Sequence, residues 1–224
     1  MLLNFDYDGV IADSLPALLE ITQQAQVALG LGRSPQVEDF AQLENMTFAD
    51  LARAIAIPEA AIDRYLAQVF TLQQRLPPPP LFPKIHSLLH TLAQEYVLAV
   101  ITSSQGDAVR AALAQQGLGE VVAAVLGGEL GLTKAERIVR AHRQMKVGGL
   151  AVMIGDSASD IVQGQKAGAA TVAVTWGFQG RDRLLAAQPG WICDRPEELL
   201  ELLLSDTIPK TCLRGHSPGP YGVS

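Results

Sequence analysis

Residues 2–9 read Leu2-Leu3-Asn4-Phe5-Asp6-Tyr7-Asp8-Gly9, a short apolar run that leads directly into two acidic residues and a glycine. Apolar runs of similar length recur along the chain, at 97–101, 123–126, 150–154, 171–174 and 191–193. Most of these runs are apolar throughout and show no alternation with polar residues. This pattern is typical of strands that are covered on both faces of a sheet.

Alanine- and leucine-rich stretches separate these runs and predict helices at 81–95, 106–116, 134–145, 159–167 and 196–204. Strands that alternate with helices are typical of parallel βα units. The sequence therefore predicts an α/β fold whose core is a doubly wound, Rossmann-like parallel sheet.

Residues 14–80 break this alternation, because they hold helical patterns at 16–29, 47–54 and 59–76 and no convincing strand. Within the last segment an apolar stripe recurs at helical spacing and is interpreted as core packing rather than a groove for a partner; it consists of Ile62, Leu66, Val69 and Phe70.

The domain organisation follows from this interruption. We expect residues 1–13 and 81–204 to form the catalytic core, and residues 14–80 to form a small all-helical cap domain inserted after the first strand. Residues 205–224 are rich in Pro, Gly and Ser and are predicted to be a poorly ordered tail.

The composition, with 48% hydrophobic and 18% charged residues in 224, is that of a soluble globular protein. A net charge of -6 offers no basic face for phosphate backbones, so we expect no nucleic-acid partner. The chain shows neither an apolar run of roughly 18 residues nor a signal peptide. We expect a cytoplasmic protein without membrane contact, as a monomer or homodimer.

Polar side chains follow four of the predicted strands, and the first pair is Asp6 and Asp8. Residues two apart on an extended backbone point the same way, and the carboxyl end of a parallel strand is where ligands bind in open α/β folds. Two such carboxylates favour a hard divalent cation, with Mg²⁺ the usual choice. Taken alone, this stretch also fits an ordinary acidic turn.

Three further motifs follow later strands. Thr102, Ser103 and Ser104 offer hydroxyl and backbone donors to an oxyanion, or a simple helix cap. Lys134 stands in the first turn of a predicted helix, where its charge opposes the helix dipole and suits a bound phosphate, although many such lysines are merely solvated.

The fourth motif is the most specific and places Asp156 at a strand end, with Asp160 about one helical turn further on. One carboxylate can bind a metal while the other orients a neighbouring donor. Because the carboxyl ends of parallel strands share one edge, all four motifs are predicted to meet in a single phosphate and magnesium site.

In this order, the motifs resemble those of the haloacid dehalogenase-like hydrolase superfamily over residues 1–204. The resemblance is closest to members with a helical cap after the first motif, which include phosphoglycolate phosphatases and β-phosphoglucomutases. It rests also on three segments outside motifs two to four: Phe5-Asp6-Tyr7-Asp8-Gly9-Val10-Ile11-Ala12-Asp13-Ser14, Leu81-Phe82-Pro83 and Thr175-Trp176-Gly177-Phe178.

The resemblance implies a phosphatase that hydrolyses a small phosphorylated metabolite, such as phosphoglycolate or a sugar phosphate, through an aspartyl-phosphate. Asp6 would be the nucleophile, and Asp8 would protonate the leaving oxygen and then activate water. Mg²⁺ would be held by Asp6, the backbone carbonyl of Asp8, and Asp156. The presence of Asp8 is not expected of the dehalogenases themselves.

The remaining implied roles concern the phosphate. Thr102 and Lys134 would bind the phosphoryl oxygens, with Gly9 and Ser103 beside them, and Asp160 would orient Lys134 or a metal-bound water. Two alternatives stay open from the sequence: a phosphomutase that passes the phosphoryl group to another acceptor, and a non-catalytic binding protein on the same fold.

Overall fold

The computed structural model describes residues 1–205, Thr207 and Ile208. Its centre is a parallel sheet of six strands in the order β3-β2-β1-β4-β5-β6. The strands are β1 Leu2–Phe5, β2 Val97–Ile101, β3 Ala124–Leu126, β4 Ala151–Gly155, β5 Ala170–Val174 and β6 Trp191–Cys193. The predicted doubly wound α/β fold is confirmed, and β1 lies at the middle of the sheet between β2 and β4.

Helices cover both faces of this sheet: α5 Ile85–Leu92, α6 Gly106–Gln115, α7 Lys134–Met145, α8 Ala158–Lys166, α9 Arg181–Ala186 and α10 Pro196–Leu204. Successive residues of a strand point to opposite faces. Leu3 and Phe5 accordingly pack in a cluster with residues of α5, α6 and α10, while Leu2 packs in a second cluster with residues of α7.

The helix predicted at 81–95 is shorter than expected and spans Ile85–Leu92. Pro83 and the positive φ of 67° at Lys84 delay its start, because neither is compatible with a regular helix interior. Two six-residue helices were not predicted, one at Arg181–Ala186 and one at Val37–Gln42, since each is too short to show a clear periodicity.

The chain divides into two compact units, one made of Met1–Ala12 and the described residues from Leu81 onward, and one made of Asp13–Pro80. The second unit contains helices and no strand: α1 Leu15–Leu29, α2 Val37–Gln42, α3 Phe48–Ala54, a 3₁₀ helix at Glu59–Ala61 and α4 Ile62–Gln73. Its function as a cap stays a prediction, and most of the tail predicted at 205–224 lies outside the described residues.

Inside this helical unit, α4 packs against α1. The Tyr65 side chain is fully buried and its hydroxyl donates to the Thr22 carbonyl oxygen at 3.3 Å. The predicted apolar stripe is right for Ile62 and Val69 but wrong for Phe70, which is 42% exposed and meets Phe48 edge to face. Tyr65 occupies the core position because its ring is apolar and its hydroxyl finds an acceptor.

None of the helices within the described residues has the length and apolar character that crossing a membrane requires.

The burial of α5 against the sheet can be tested by substitution. Leu89 is fully buried, whereas Leu204 on α10 is 41% exposed. We expect Leu89→Ala to lower the free energy of unfolding by about 2–5 kcal/mol, because the cavity adds to the lost apolar burial. The matched Leu204→Ala should cost no more than about 1 kcal/mol in guanidinium denaturation. Equal losses would contradict the packing described here.

Candidate active site

Asp6 and Asp8 lie where β1 ends, at the carboxyl edge of the sheet. The Asp6 amide donates to the Ile154 carbonyl oxygen at 2.9 Å, which extends the pairing of β1 with β4 by one bond. The Asp6 side chain is buried, and its Oδ1 accepts from the Tyr7 amide at 2.8 Å. Asp8 is half-buried, and its Oδ2 accepts from the Ser104 hydroxyl at 2.6 Å.

Lys134 begins α7, as predicted, and points into the same edge of the sheet. Thr133 and Glu136 form a capping box that fixes where the helix starts. The Lys134 Nζ lies 2.6 Å from Asp6 Oδ2 and 2.5 Å from Asp160 Oδ1, and all three side chains are buried. One ammonium group therefore joins the first, third and fourth motifs.

The fourth motif is ordered by a second capping box at the start of α8. Ser157 caps the helix, and its hydroxyl donates to Asp160 Oδ2 at 2.6 Å. Asp160 thus receives bonds on both carboxylate oxygens, from Lys134 and from Ser157. Asp156, also buried, accepts a bond on Oδ2 from the Phe178 amide at 2.7 Å.

The second motif enters the site through Thr102 and Ser104. Thr102 follows β2 and is buried, and its Oγ1 accepts from the Ser104 amide at 3.0 Å. Ser103 between them is exposed. The structure thus brings the Ser104 side chain to Asp8. The phosphate-binding role expected for Ser103 stays a prediction.

Three further residues help to build the site and were not predicted from the sequence. The buried guanidinium of Arg137 donates to the carbonyl oxygens of Thr102 and Leu126, which ties the ends of β2 and β3 to α7. The Phe178 amide holds Asp156. Gly177 allows this approach, because a Cβ there would lie 2.3 Å from Asp156 Oδ2. An arginine on a polar helix and a backbone amide carry no sequence signal. Gly177 and Phe178 do lie in Thr175-Trp176-Gly177-Phe178, one of the segments on which the family resemblance rests.

The electrostatics of the site are set by burial. Burial raises the pKa of the Asp6 carboxyl to about 7, although Lys134 opposes the shift. Burial, reinforced by Asp160 and Asp6, also raises the pKa of Asp156 well above its ordinary value. Burial alone would lower the pKa of Lys134, but Asp160 and Asp6 outweigh it and raise that pKa. Three buried carboxyl groups therefore share one ammonium group, and two of them, Asp6 and Asp156, hold their protons more tightly than usual.

This acidic cluster fits a divalent cation. Carboxylate oxygens of Asp6, Asp156 and Asp160 lie within 4.8 Å of one another, and this is the one such group among the described residues. Asp160 is committed to Lys134 and Ser157, so Asp6 and Asp156 are the better candidates for ligands. An all-oxygen donor set suits a hard cation.

The model of the haloacid dehalogenase-like hydrolase family matches residues 3–174 of this chain. The chain belongs to this hydrolase family. A protein called phosphoglycolate phosphatase from Synechococcus elongatus is 32% identical over 201 residues, with 88% of this chain and 94% of that protein covered. Another of the same name, from Vibrio parahaemolyticus, is 29% identical over 222 residues, with 90% and 95% covered.

The fold of this hydrolase also matches solved structures. A haloacid dehalogenase-like family hydrolase from Streptococcus pneumoniae superposes with a TM-score of 0.79 at 22% identity, and the match covers 89% of this chain and 96% of that one. At this identity the likeness supports the fold.

The raised pKa of Asp6 predicts that metal binding depends on pH. Because a cation binds the carboxylate, it must displace the Asp6 proton below about pH 7. With Mg²⁺ as the probe cation, we expect the affinity to fall by about tenfold per pH unit well below that value because of the Asp6 proton alone. Calorimetry in buffers of different ionisation enthalpy should show more proton release at pH 6 than at pH 8. Equal affinity and no proton release at both would contradict this.

The raised pKa of Asp6 also determines how the stability of the metal-free protein changes with pH. Between the ordinary value of 3.8 and about 7, the folded chain keeps the Asp6 proton and the unfolded chain has lost it. The contribution of Asp6 to the free energy of unfolding is therefore complete below 3.8 and disappears as the pH rises to about 7.

Gly9 offers a test of the close packing around Asp156. Its φ is +79°, and a Cβ would lie 2.0 Å from Asp156 Oδ2, whereas Gly30 has φ +65° and open space around it. Both alanine variants carry backbone strain of about 1 kcal/mol. We expect Gly9→Ala alone to weaken Mg²⁺ binding, by at least about tenfold, when thermal stabilisation is titrated. Unchanged binding in Gly9→Ala would contradict the packing.

Proposed function

We propose that this hydrolase is a Mg²⁺-dependent phosphatase that removes phosphate from a small phosphate monoester through an aspartyl-phosphate on Asp6. The observation that carries the proposal is the buried Asp6–Lys134–Asp160 network at the carboxyl edge of β1, with Asp156 beside it. The names of the relatives from Synechococcus elongatus and Vibrio parahaemolyticus support the same activity.

In the first step, an oxygen of the Asp6 carboxylate attacks phosphorus and a new O–P bond forms. The ester P–O bond breaks, and its electron pair goes to the leaving oxygen. Asp8, protonated at this stage, gives its proton to that oxygen, so the product leaves as an alcohol. Asp6 lies at the end of a buried central strand, which holds it in a fixed place for the attack.

In the second step, Asp8 acts as a base. It takes a proton from water, whose oxygen attacks phosphorus and displaces the Asp6 carboxylate, so that free phosphate leaves and both acids return to their starting states. Asp8 suits this exchange because it is half-buried, unlike Asp6, and so is reachable from solvent.

Charge on the phosphoryl oxygens is balanced by Lys134, whose Nζ touches Asp6 Oδ2. Asp160 holds that ammonium group in place and is itself fixed by Ser157. The Thr102 hydroxyl accepts from the Ser104 amide and keeps its own hydrogen to donate to a phosphoryl oxygen. These donors are built before substrate binds, which is the condition for effective electrostatic stabilisation.

Asp6, Asp156 and the backbone carbonyl of Asp8 are the groups proposed to hold Mg²⁺. An ion held by these groups would supply positive charge and so reduce the repulsion between the Asp6 carboxylate and the phosphoryl oxygens. We propose phosphoglycolate as the first candidate substrate, because both relatives are called phosphoglycolate phosphatase.

A comparison of Asp6→Asn with wild type tests the proposal, through phosphate release from phosphoglycolate, sugar phosphates and p-nitrophenyl phosphate with and without Mg²⁺. We expect Mg²⁺-dependent release by wild type and a loss of at least about 10³-fold in kcat for Asp6→Asn, because the covalent route is removed. Asp107→Asn, which removes the same charge from a side chain that is 99% exposed, should keep wild-type activity.

Two results would overturn the proposal. Hydrolysis by Asp6→Asn at the wild-type rate would remove the nucleophile. An absence of phosphate release from every ester, in a protein that is folded and binds Mg²⁺, would remove the phosphatase activity.

A further inference from the structure

The Ser104 hydroxyl lies 2.6 Å from Asp8 Oδ2 and donates to it. Among the described residues, this is the one hydrogen bond recorded for the Asp8 carboxylate. The mechanism above uses Asp8 for both proton transfers and gives Ser104 no part in them. The orientation of the acid–base carboxylate therefore depends on a side chain from the loop after a neighbouring strand.

Ser104 is itself held firmly by its backbone. Its amide donates to Thr102 Oγ1 at 3.0 Å, and its carbonyl oxygen accepts from the Gly128 amide at 3.0 Å. Gly128 approaches this loop so closely that a Cβ there would lie 2.4 Å from the Ser103 carbonyl oxygen. The hydroxyl thus projects from a loop that is held by a bond within itself and by one bond from a second segment, so it can act as a fixed reference point for Asp8.

The direction of the bond matters for proton transfer. When Oδ2 accepts from Ser104, Oδ1 is the oxygen that is left to give and take the proton. A carboxyl group that rotates freely presents Oδ1 to the leaving oxygen only part of the time, whereas one anchored through Oδ2 is aligned before substrate binds. Such alignment affects the step in which Asp8 acts and leaves the attack by Asp6 unchanged.

We propose that Ser104 is a positioning residue that aligns Asp8 as the general acid, and that it therefore matters most for phosphate esters with poor leaving groups. The proposal rests on the proposed phosphatase function. In the first step the ester P–O bond breaks, its electron pair goes to the leaving oxygen, and the proton on Asp8 Oδ1 passes to that oxygen, while the Ser104 proton stays on Ser104.

Esters with different leaving groups distinguish a positioning role of Ser104 from a general structural role. An alkoxide, as from phosphoglycolate or a sugar phosphate, is a poor leaving group and needs the proton. A p-nitrophenolate leaves without one, so a well-placed acid gives little advantage there. A variant with a misplaced Asp8 should be slow on the alkyl ester and nearly normal on the aryl ester, whereas a distorted site should be slow on both.

The test measures kcat and KM of Ser104→Ala and Ser104→Thr on an alkyl phosphate and on p-nitrophenyl phosphate. We expect Ser104→Ala to lower kcat on the alkyl ester about tenfold, part of the roughly 10²–10⁴-fold that a general acid supplies, and by less than about twofold on the aryl ester. Ser104→Thr keeps the hydroxyl and should restore most of the alkyl activity. The matched control is Ser87→Ala, an exposed hydroxyl on α5.

A double-variant cycle with Asp8→Asn adds a second readout. If Ser104 acts through Asp8, the Ser104→Ala/Asp8→Asn protein should be no slower on the alkyl ester than Asp8→Asn alone. Additive losses, or equal losses of Ser104→Ala on both esters, would overturn the proposal.

Failure of the proposed phosphatase function would give a different result from failure of the Ser104 proposal. In that case wild type would hydrolyse neither ester or Asp6→Asn would stay active, whatever the Ser104 variants do.

Discussion

The Lys134 ammonium group, held between Asp6 and Asp160, is the interaction on which the rest of the site depends. Burying a charge is costly unless it is paired and hydrogen-bonded, and here the three side chains satisfy one another at 2.5 and 2.6 Å. The network joins β1, α7 and α8, and loss of Lys134 would leave two buried carboxyl groups without their cation. The same pairing keeps Asp6 next to a positive charge, where an anionic substrate can approach.

The sheet order explains why these groups meet. Since β1 is central, with β2 on one side and β4 on the other, the residues that follow these three strands share one stretch of the carboxyl edge. Lys134 comes from further away, after the edge strand β3. It reaches the centre because α7 packs across the sheet against β2 and β4, fixed there by the bonds from Arg137 to the ends of β2 and β3.

The sequence predicts most of this arrangement, because the rule that parallel strands end at one edge turns four local motifs into one site. Asp6, Lys134, Asp156 and Asp160 are brought together as expected. The rule cannot predict contacts made by the backbone, such as the Phe178 amide on Asp156, or by buried residues that read as surface, such as Arg137. The prediction that Phe70 is buried is wrong for a related reason. Helical periodicity indicates which face of a helix is apolar, but packing decides which residues at the margin of that face are buried.

The two kinds of carboxylate in the site differ in how they are held, and this difference matches what each is proposed to do. Asp156 lies between two glycines, Gly9 and Gly177, whose missing side chains let the backbone close around it. A ligand for a metal gains from such rigidity, because its oxygen need not be ordered when the ion binds. Asp8 is half-buried and is held through one oxygen by Ser104. A group that must gain and lose a proton in every cycle needs access to water and a fixed direction. The partial exposure of Asp8 supplies the access, and the hydrogen bond from Ser104 supplies the direction.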